Sequence, residues 1–400
     1  MRLLIIDNSP SMGGSIRDSA ELANELIRRQ TPVGVLASRP DLFRPHLAAG
    51  VEVLTAEWEG FRNVFDPALG LMGGPIPRLS GWLAMRRFTN RLAPEIRAVL
   101  DRFRPDLVHL NNLNLPQIPV LETCRAAGLP VAFYAQMIRV FGGREKRLAA
   151  AAQRVICISE AVRRFLVDQN GVPAERTCVV YPGIDAAAYA PPPDPSTRAE
   201  LGWPPDAPVA CLLGRISRWK GQHVAIAAWR EVTARLPQAV LAIVGTGDAE
   251  YLAECRRLAQ ENGVADRVHF VGHRGDVPRV LAACDLVIHA SCYAQPEQGT
   301  VEALGLVVME AMAAGRPVIA TAAGGPPELV ADGETGRLVT PGDAAAMAAA
   351  VLGYLENPEA ARAAGAAGRR RAARFTLDRM AEQFLAAYRE AAESIGKTLP

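Results

Sequence analysis

The sequence predicts an α/β protein built from two doubly wound parallel sheets that face each other across a cleft. Three observations carry this expectation. Short apolar runs alternate with longer amphipathic ones, the order that joins parallel strands through helices. The alternation halts at a proline-rich stretch, APPPDPSTRAELGWPPDAP, and then restarts. The 400 residues also exceed what a single core commonly holds.

The elements follow in order. Arg2 to Asp7 reads as a buried strand, and Gly13 and Gly14 form a loop that opens a helix running to Arg29. VGVLAS, DLVHL and VAFYA are the next strands. RVICIS leads into EAVRRFLVDQNG, helical in spacing and closed by Gly171, a C-cap type of residue. TCVVYPGID closes the first half. Prolines do not sit in element interiors, so an interdomain linker falls at 191–207. Beyond it VACLLGR, AVLAIVG, RVHFVG, DLVIHA, PVIATA and GRLVT read as strands. GQHVAIAAWREVTARL and EYLAECRRLAQENG read as helices, and the tail from about Asp343 as helical throughout. The expected division is a first domain over 1–190, the linker, a second domain over 208–375 and a last segment over 376–400. Ligands of such sheets bind outside the C-terminal strand ends, which places the site in the cleft.

Composition removes several classes. Half of the chain is hydrophobic, 22% is charged and the formal net charge is +2, with no basic run, so a nucleic-acid partner is not expected. The seven cysteines include no CxxC pair, which suits buried free thiols in a reducing cytoplasm. The apolar start is too short for a signal peptide, and no run approaches the roughly 20 residues that span a bilayer. No histidine and carboxylate cluster has metal-ligand spacing, so no metal is expected. SPSMGGSIRDS does not match the glycine pattern of a dinucleotide oxidoreductase.

The chemistry concentrates in EALGLVVMEAMAAGRP, from Glu302 to Pro317. Gly305 stands at the expected N-terminus of an apolar helix. Free amides and the helix dipole favour an anion there, and a glycine lets it approach closely. Glu302 precedes the helix and Glu310 lies inside it; carboxylates accept hydrogen bonds from sugar hydroxyls. GRISRWKG places Arg215 and Lys220 at a strand end, two cations able to neutralise a diphosphate. The plainer alternatives are an acid favoured by a helix dipole and a solvated basic loop. Acids and cations in one domain together describe a site for a nucleotide diphosphate carrying a sugar.

On these residues the chain resembles the retaining glycosyltransferases of family 4, which have the GT-B fold. ICISEAV, VVYPGID, GRISRWKG, IVGTGDAE, FVGHRGDV, EALGLVVMEAMAAGRPVIATAAGGPPELV and DGETGRLVTPGD carry the resemblance, with the Gly13–Gly14 loop. It implies transfer of a sugar from a nucleotide diphosphate sugar to an acceptor hydroxyl with retention and without a bound metal. The acceptor would be a glycan, a lipid-linked saccharide or a small metabolite. The resemblance implies a catalytic set of Glu302, Arg215 and Lys220. Arg215 and Lys220 would meet the diphosphate, and Glu310 the ribose. Glu302 would meet the sugar, beside the amides of Gly305, Leu306 and Val307. Gly13 and Gly14 would approach the donor from across the cleft, and His273 would lie near the base. It also implies a final helix that crosses back to the first domain. Many members carry a histidine where this chain has Ala135 or Gln136; glutamine hydrogen-bonds a hydroxyl but carries no proton. A nucleotide-sugar epimerase and a non-catalytic nucleotide-sugar-binding protein are the competing readings.

Two further readings concern the first domain. His109 ends a strand beside Asn111, Asn112 and Asn114, so His109, Asn111 and Gln136 are expected on the acceptor side, while His289 reads as packing. The segment 70–104 mixes apolar residues (Leu71, Met72, Trp82, Leu83, Met85, Phe88) with Arg86, Arg87, Arg91 and Arg97. Such a basic amphipathic stretch suits peripheral contact with the inner face of a membrane, against the alternative of a core-packed helix with a solvated face.

Overall fold

The computed structural model describes residues 1–9, 13–55, 92–112, 117–190, 195–292 and 301–399. Its first half runs β1 (Leu3–Asp7), α1 (Gly14–Arg28), β2 (Val33–Ala37), β3 (Glu52–Leu54), α2 (92–103), β4 (Leu107–Asn111), α3 (Ile118–Ala126), β5 (Val131–Ala135), β6 (Arg154–Cys157), α4 (Glu160–Asn170) and β7 (Thr177–Val179). These strands pair in parallel in the order β3-β2-β1-β4-β5-β6-β7. Every residue of β1, β2, β4 and β5 is buried, as expected of a parallel sheet covered on both faces.

The second half runs β8 (Val209–Leu213), α5 (Gln222–Arg235), β9 (Val240–Val244), α6 (Ala249–Glu261), β10 (Val268–Gly272), β11 (Leu286–His289), α7 (Leu306–Ala313), β12 (Val318–Thr321), β13 (Gly336–Val339), α8 (Ala344–Leu355), α9 (Pro358–Ala372) and α10 (Leu377–Glu393). Its parallel sheet has the order β10-β9-β8-β11-β12-β13. Each sheet reverses its direction of growth once, between β1 and β4 and between β8 and β11. Crevices open at such switch points.

Three details differ from the sequence reading. β3, which the sequence reading did not include, is three residues long, too short to show alternation. The tail, read as helical with a separate last segment from 376, is three helices, with an additional break at Asn357. Asn357 caps α9 by accepting from Ala360 N at 3.1 Å, Pro358 begins that helix, and Thr376 caps α10 by accepting from Arg379 N at 3.1 Å. The linker region holds a short helix, Pro195–Glu200, and Arg198 in it bonds Ala283 O and Asp285 of the second domain at 2.9 and 3.1 Å.

α10 returns to the first domain. Phe384 and Tyr388 are buried there, and the helix is tied by ion pairs of Arg29 with Asp378 and of Arg154 with Glu390. α2 buries Leu92, Ile96, Val99, Leu100 and Phe103 at helical spacing. Its exposed arginines pair with acids, Arg97 with Asp101 at 3.3 Å and Arg102 with Glu52 at 3.0 Å. For this part of segment 70–104 the core-packed helix with a solvated basic face is the reading that holds. The apolar and basic residues from Leu71 to Arg91, and Asn114, lie outside the described residues. Among the described residues no helix is long and apolar enough to cross a membrane. All seven cysteines are free; burial pushes the Cys124 thiol up to about 12.

Candidate functional site

The site assembles at the switch point of the second sheet. β8 ends at Leu213, and the loop after it carries Arg215, exposed and with no guanidinium partner among the described residues. Gln222 Nε2 braces this loop by donating to Arg215 O at 2.9 Å. Lys220 ends a short helical turn and donates from Nζ to Glu302 Oε2 at 2.5 Å. The same oxygen accepts from Ser291 Oγ at 3.0 Å and lies 3.0 Å from His289 Nε2. Burial alone would raise the Glu302 carboxyl. The Lys220 cation and the His289 contact outweigh burial and hold it well below the usual carboxylate range. Glu302 is therefore a fixed negative charge and a poor proton acceptor.

Gly305 follows in an αL conformation, φ +91°, which disfavours a side chain. A Cβ there would stand 3.3 Å from Val308 Cγ2 and 3.4 Å from His289 Nε2. This turn aims the start of α7 into the cleft. Val308 N is taken by Gly305 O at 2.9 Å, which leaves the amides of Leu306 and Val307 as first-turn donors. The first domain approaches at this point: a Cβ on Gly14 would lie 2.7 Å from Leu306 Cδ1, while one on Gly13 would meet nothing within 4 Å. The glycine loop after β1 therefore packs against the start of α7 at Gly14, while Gly13 borders open space.

Glu310 sits on the second turn of α7, 6% exposed. Its Oε1 is held by Arg17 of α1 and by Tyr189 Oη, the latter at 3.0 Å. Neither bond uses Oε2. Arg17 also lies 3.4 Å from Glu21, whose carboxyl is pushed up to about 7, by burial first and by Glu310 against the opposing pull of Arg17.

The first-domain wall is a polar network at the ends of β1, β4 and β5. Asn111 Nδ2 donates to Asp7 and stands 2.8 Å from Ser15 Oγ and 2.7 Å from Ser19 Oγ. Asn112 Nδ2 donates to Gln136 Oε1 at 3.1 Å, and Gln136 Nε2 donates to Asp18 Oδ2 at 3.2 Å. Asn111 is thus a tie between β4, β1 and α1. His109 is not in this wall. It is fully buried under α10, with Nδ1 2.7 Å from Tyr388 Oη, and burial lowers its pKa to about 3. The acceptor-side expectation for it gives way because α10 covers that face of β4.

His273 is exposed just after β10, whereas Arg274 beside it is committed to Asp276 and Glu200 at 2.7–2.8 Å. Sequence reasoning missed His289, Ser291, Arg17, Tyr189 and Asp18. A signal existed for the first two: they end and follow the strand DLVIHA, and strand ends at a switch point line the crevice. No pattern in the sequence marked Arg17 or Tyr189, whose partner Glu310 lies in the other domain. Among the described residues no group of three or more His, Cys, Asp and Glu could hold a metal ion.

Comparisons with known proteins bear on this geometry. A family profile described as "Glycosyl transferases group 1" matches residues 194–371, and one described as "Glycosyltransferase Family 4" matches residues 12–188. The chain is 39% identical over 232 residues to a GDP-mannose-dependent alpha-(1-6)-phosphatidylinositol monomannoside mannosyltransferase of Mycolicibacterium smegmatis, covering 56% of this chain and 58% of that protein. It is 30% identical over 292 residues to a phosphatidyl-myo-inositol mannosyltransferase of the same organism, covering 71% of each. The chain spans little more than half the length of the first curated relatives it matches, 50–58%. Among solved structures, Anabaena HepE in complex with UDP aligns with a TM-score of 0.78 and 27% identity, over 96% of this chain and 99% of that one.

Proposed function

The chain belongs to the family 4 glycosyltransferases, of the glycosyl transferases group 1 type, with their two-domain GT-B fold; on that premise we propose that it moves a sugar from a nucleotide diphosphate sugar to an acceptor hydroxyl, with retention of configuration. The observation that carries the reading is the cluster of Lys220, Glu302, His289 and Ser291 at the open N-terminus of α7, facing the Gly13–Gly14 loop.

In this reading the diphosphate lies at the amides of Leu306 and Val307, with Arg215 and Lys220 balancing its charge in place of a metal ion. Glu310 offers Oε2 to the ribose, and His273 lies toward the base. Glu302 stabilises positive charge that develops on the sugar ring as the bond to phosphate breaks. Its low proton affinity makes it unsuited to act as a base. The leaving diphosphate instead takes the proton from the acceptor hydroxyl. The sugar C1–O bond to phosphate breaks, and the bond to the acceptor oxygen forms on the same face. Positioning and charge then supply most of the rate.

The relatives direct the choice of probes. GDP-mannose and UDP-glucose are the first donors to try, with a phosphatidylinositol-type or saccharide acceptor. Thermal-shift screening against UDP, GDP, ADP and their sugars should give a rise with one nucleotide. Arg215→Ala and Glu310→Ala should each abolish that rise, and EDTA should leave turnover unchanged. No rise with any nucleotide would favour a protein that has lost donor binding. Flotation with anionic vesicles tests whether segment 70–104 also brings the protein to a membrane; failure to float removes that contact.

A further inference from the structure

Glu310 is buried on α7, and a carboxylate in such a place is costly unless it is paired. Among the described residues its side chain bonds no group of its own domain. Both partners come from the first domain: Arg17 of α1, and Tyr189 in the turn 186–189 beyond β7. They converge on one oxygen, Oε1, with Tyr189 Oη at 3.0 Å. Burial, and then the Glu310 charge, raise the Tyr189 hydroxyl, so it stays protonated and donates. Arg17 is a permanent cation.

Two helices meet rung by rung to make this contact. Gly14 and Arg17 stand three apart on α1, and Leu306 and Glu310 four apart on α7, so each pair shares one helix face. Gly14 packs on Leu306, where a Cβ would stand only 2.7 Å from Cδ1. The missing side chain lets α1 come close. Arg17, a turn further along α1, then reaches Glu310, a turn further along α7. With Oε1 taken by two donors, Oε2 is the oxygen left outside these bonds.

We propose, resting on the donor reading above, that Arg17 and Tyr189 are positioning residues: by holding Oε1 from across the domain boundary they fix the Glu310 carboxylate so that Oε2 accepts from a ribose hydroxyl. Ribose recognition is then shared between the domains, although the contacting residue belongs to one. A nucleotide with its ribose hydroxyls intact gains from the docked domains, and one that lacks them does not.

Calorimetric titration of the full chain with UDP, GDP and ADP, and then with the 2′-deoxy and 3′-deoxy forms of whichever binds, tests this. Wild type should lose about tenfold in affinity for at least one deoxy form, the scale of one hydrogen bond to a charged group. In Arg17→Leu that loss should shrink to about twofold, because the carboxylate is no longer held for the hydroxyl. Tyr189→Phe keeps the ring and should shrink the loss in the same direction, and it carries the test if Arg17→Leu does not fold. A merely structural ion pair would weaken all nucleotides alike. A loss that stays at wild-type size in either folded variant, with or without a general drop in affinity, would overturn the proposal and leave the donor reading intact. A wild type that binds the deoxy forms as tightly would do the same. A wild type that binds none of the three nucleotides would overturn the donor reading itself, and the proposal with it.

Discussion

Glu302 gathers Lys220, His289 and Ser291 on a single oxygen, so the charge of this residue depends on all three. Lys220→Ala removes the lysine cation and leaves the buried carboxylate with His289 and Ser291 alone. Transfer should fall by about 100-fold or more, as for other preorganised charge stabilisers, and stability by about 1–3 kcal/mol. Steady-state rates and urea titration of the same variant read both effects. Glu21 makes the opposite kind of prediction. Its folded carboxyl is pushed up to about 7, above the ordinary value of roughly 4.3, so the folded chain binds this proton more tightly than the unfolded one. Its contribution is therefore full at low pH and is lost as pH rises from the ordinary carboxylate range through about 7. Glu21→Gln should flatten the decline of melting temperature over that window. An unchanged slope would mean that Glu21 ionises normally in the fold.

At the scale of elements, α10 is the clearest case of a helix whose place is set by what it covers. Phe384 and Tyr388 pack on His109 and Tyr134 with ring centroids 5.1–5.9 Å apart. The buried His109 spends its Nδ1 on the Tyr388 hydroxyl at 2.7 Å. Tyr388→Phe keeps the ring and strands that nitrogen, which should cost about 1–3 kcal/mol by urea denaturation. Turnover per folded molecule should hold, because His109 faces away from the cleft. α7 is the counterpart on the active side. Its apolar body is buried, while its first turn stays open because Gly305 turns the chain sharply into it.

At the scale of the molecule, the two sheets meet through backbone as much as side chains. Glu328 of the second domain accepts from Glu160 N at 2.8 Å and Ala161 N at 2.7 Å, the first-turn amides of α4, and from Tyr181 Oη at 2.7 Å. It caps a helix of the opposite domain. Ser159 donates to Ala303 O at 2.6 Å, and Ile138 bridges Val301. These contacts bring the loop bearing Glu302 against the first domain. Glu328→Ala should cost roughly 1–2 kcal/mol and speed amide hydrogen exchange at Glu160 and Ala161. Unchanged exchange there would show that the cap does not hold the domains together.

The sequence alone determined the alternation of strands and helices, the break between the two sheets, and the acids, cations and glycine around Glu302. Each of these is local: an apolar run, a cluster of prolines, a glycine before an apolar helix. Propensity and periodicity act over a few residues and leave a visible trace. The three-residue strand β3 left no such trace, and the cap at Asn357 was hidden inside a continuous helical rhythm. The tertiary structure decided the partners. His289 looks like a packing residue in DLVIHA, and only the pairing of β11 with β8 sets it beside Lys220 and Glu302. Arg17 and Glu310 are separated by most of the chain and meet because two domains close on each other. His109 looks like a cleft residue until α10 returns to cover it. Contacts between residues far apart in sequence depend on how sheets are ordered and domains docked, and no local pattern encodes that.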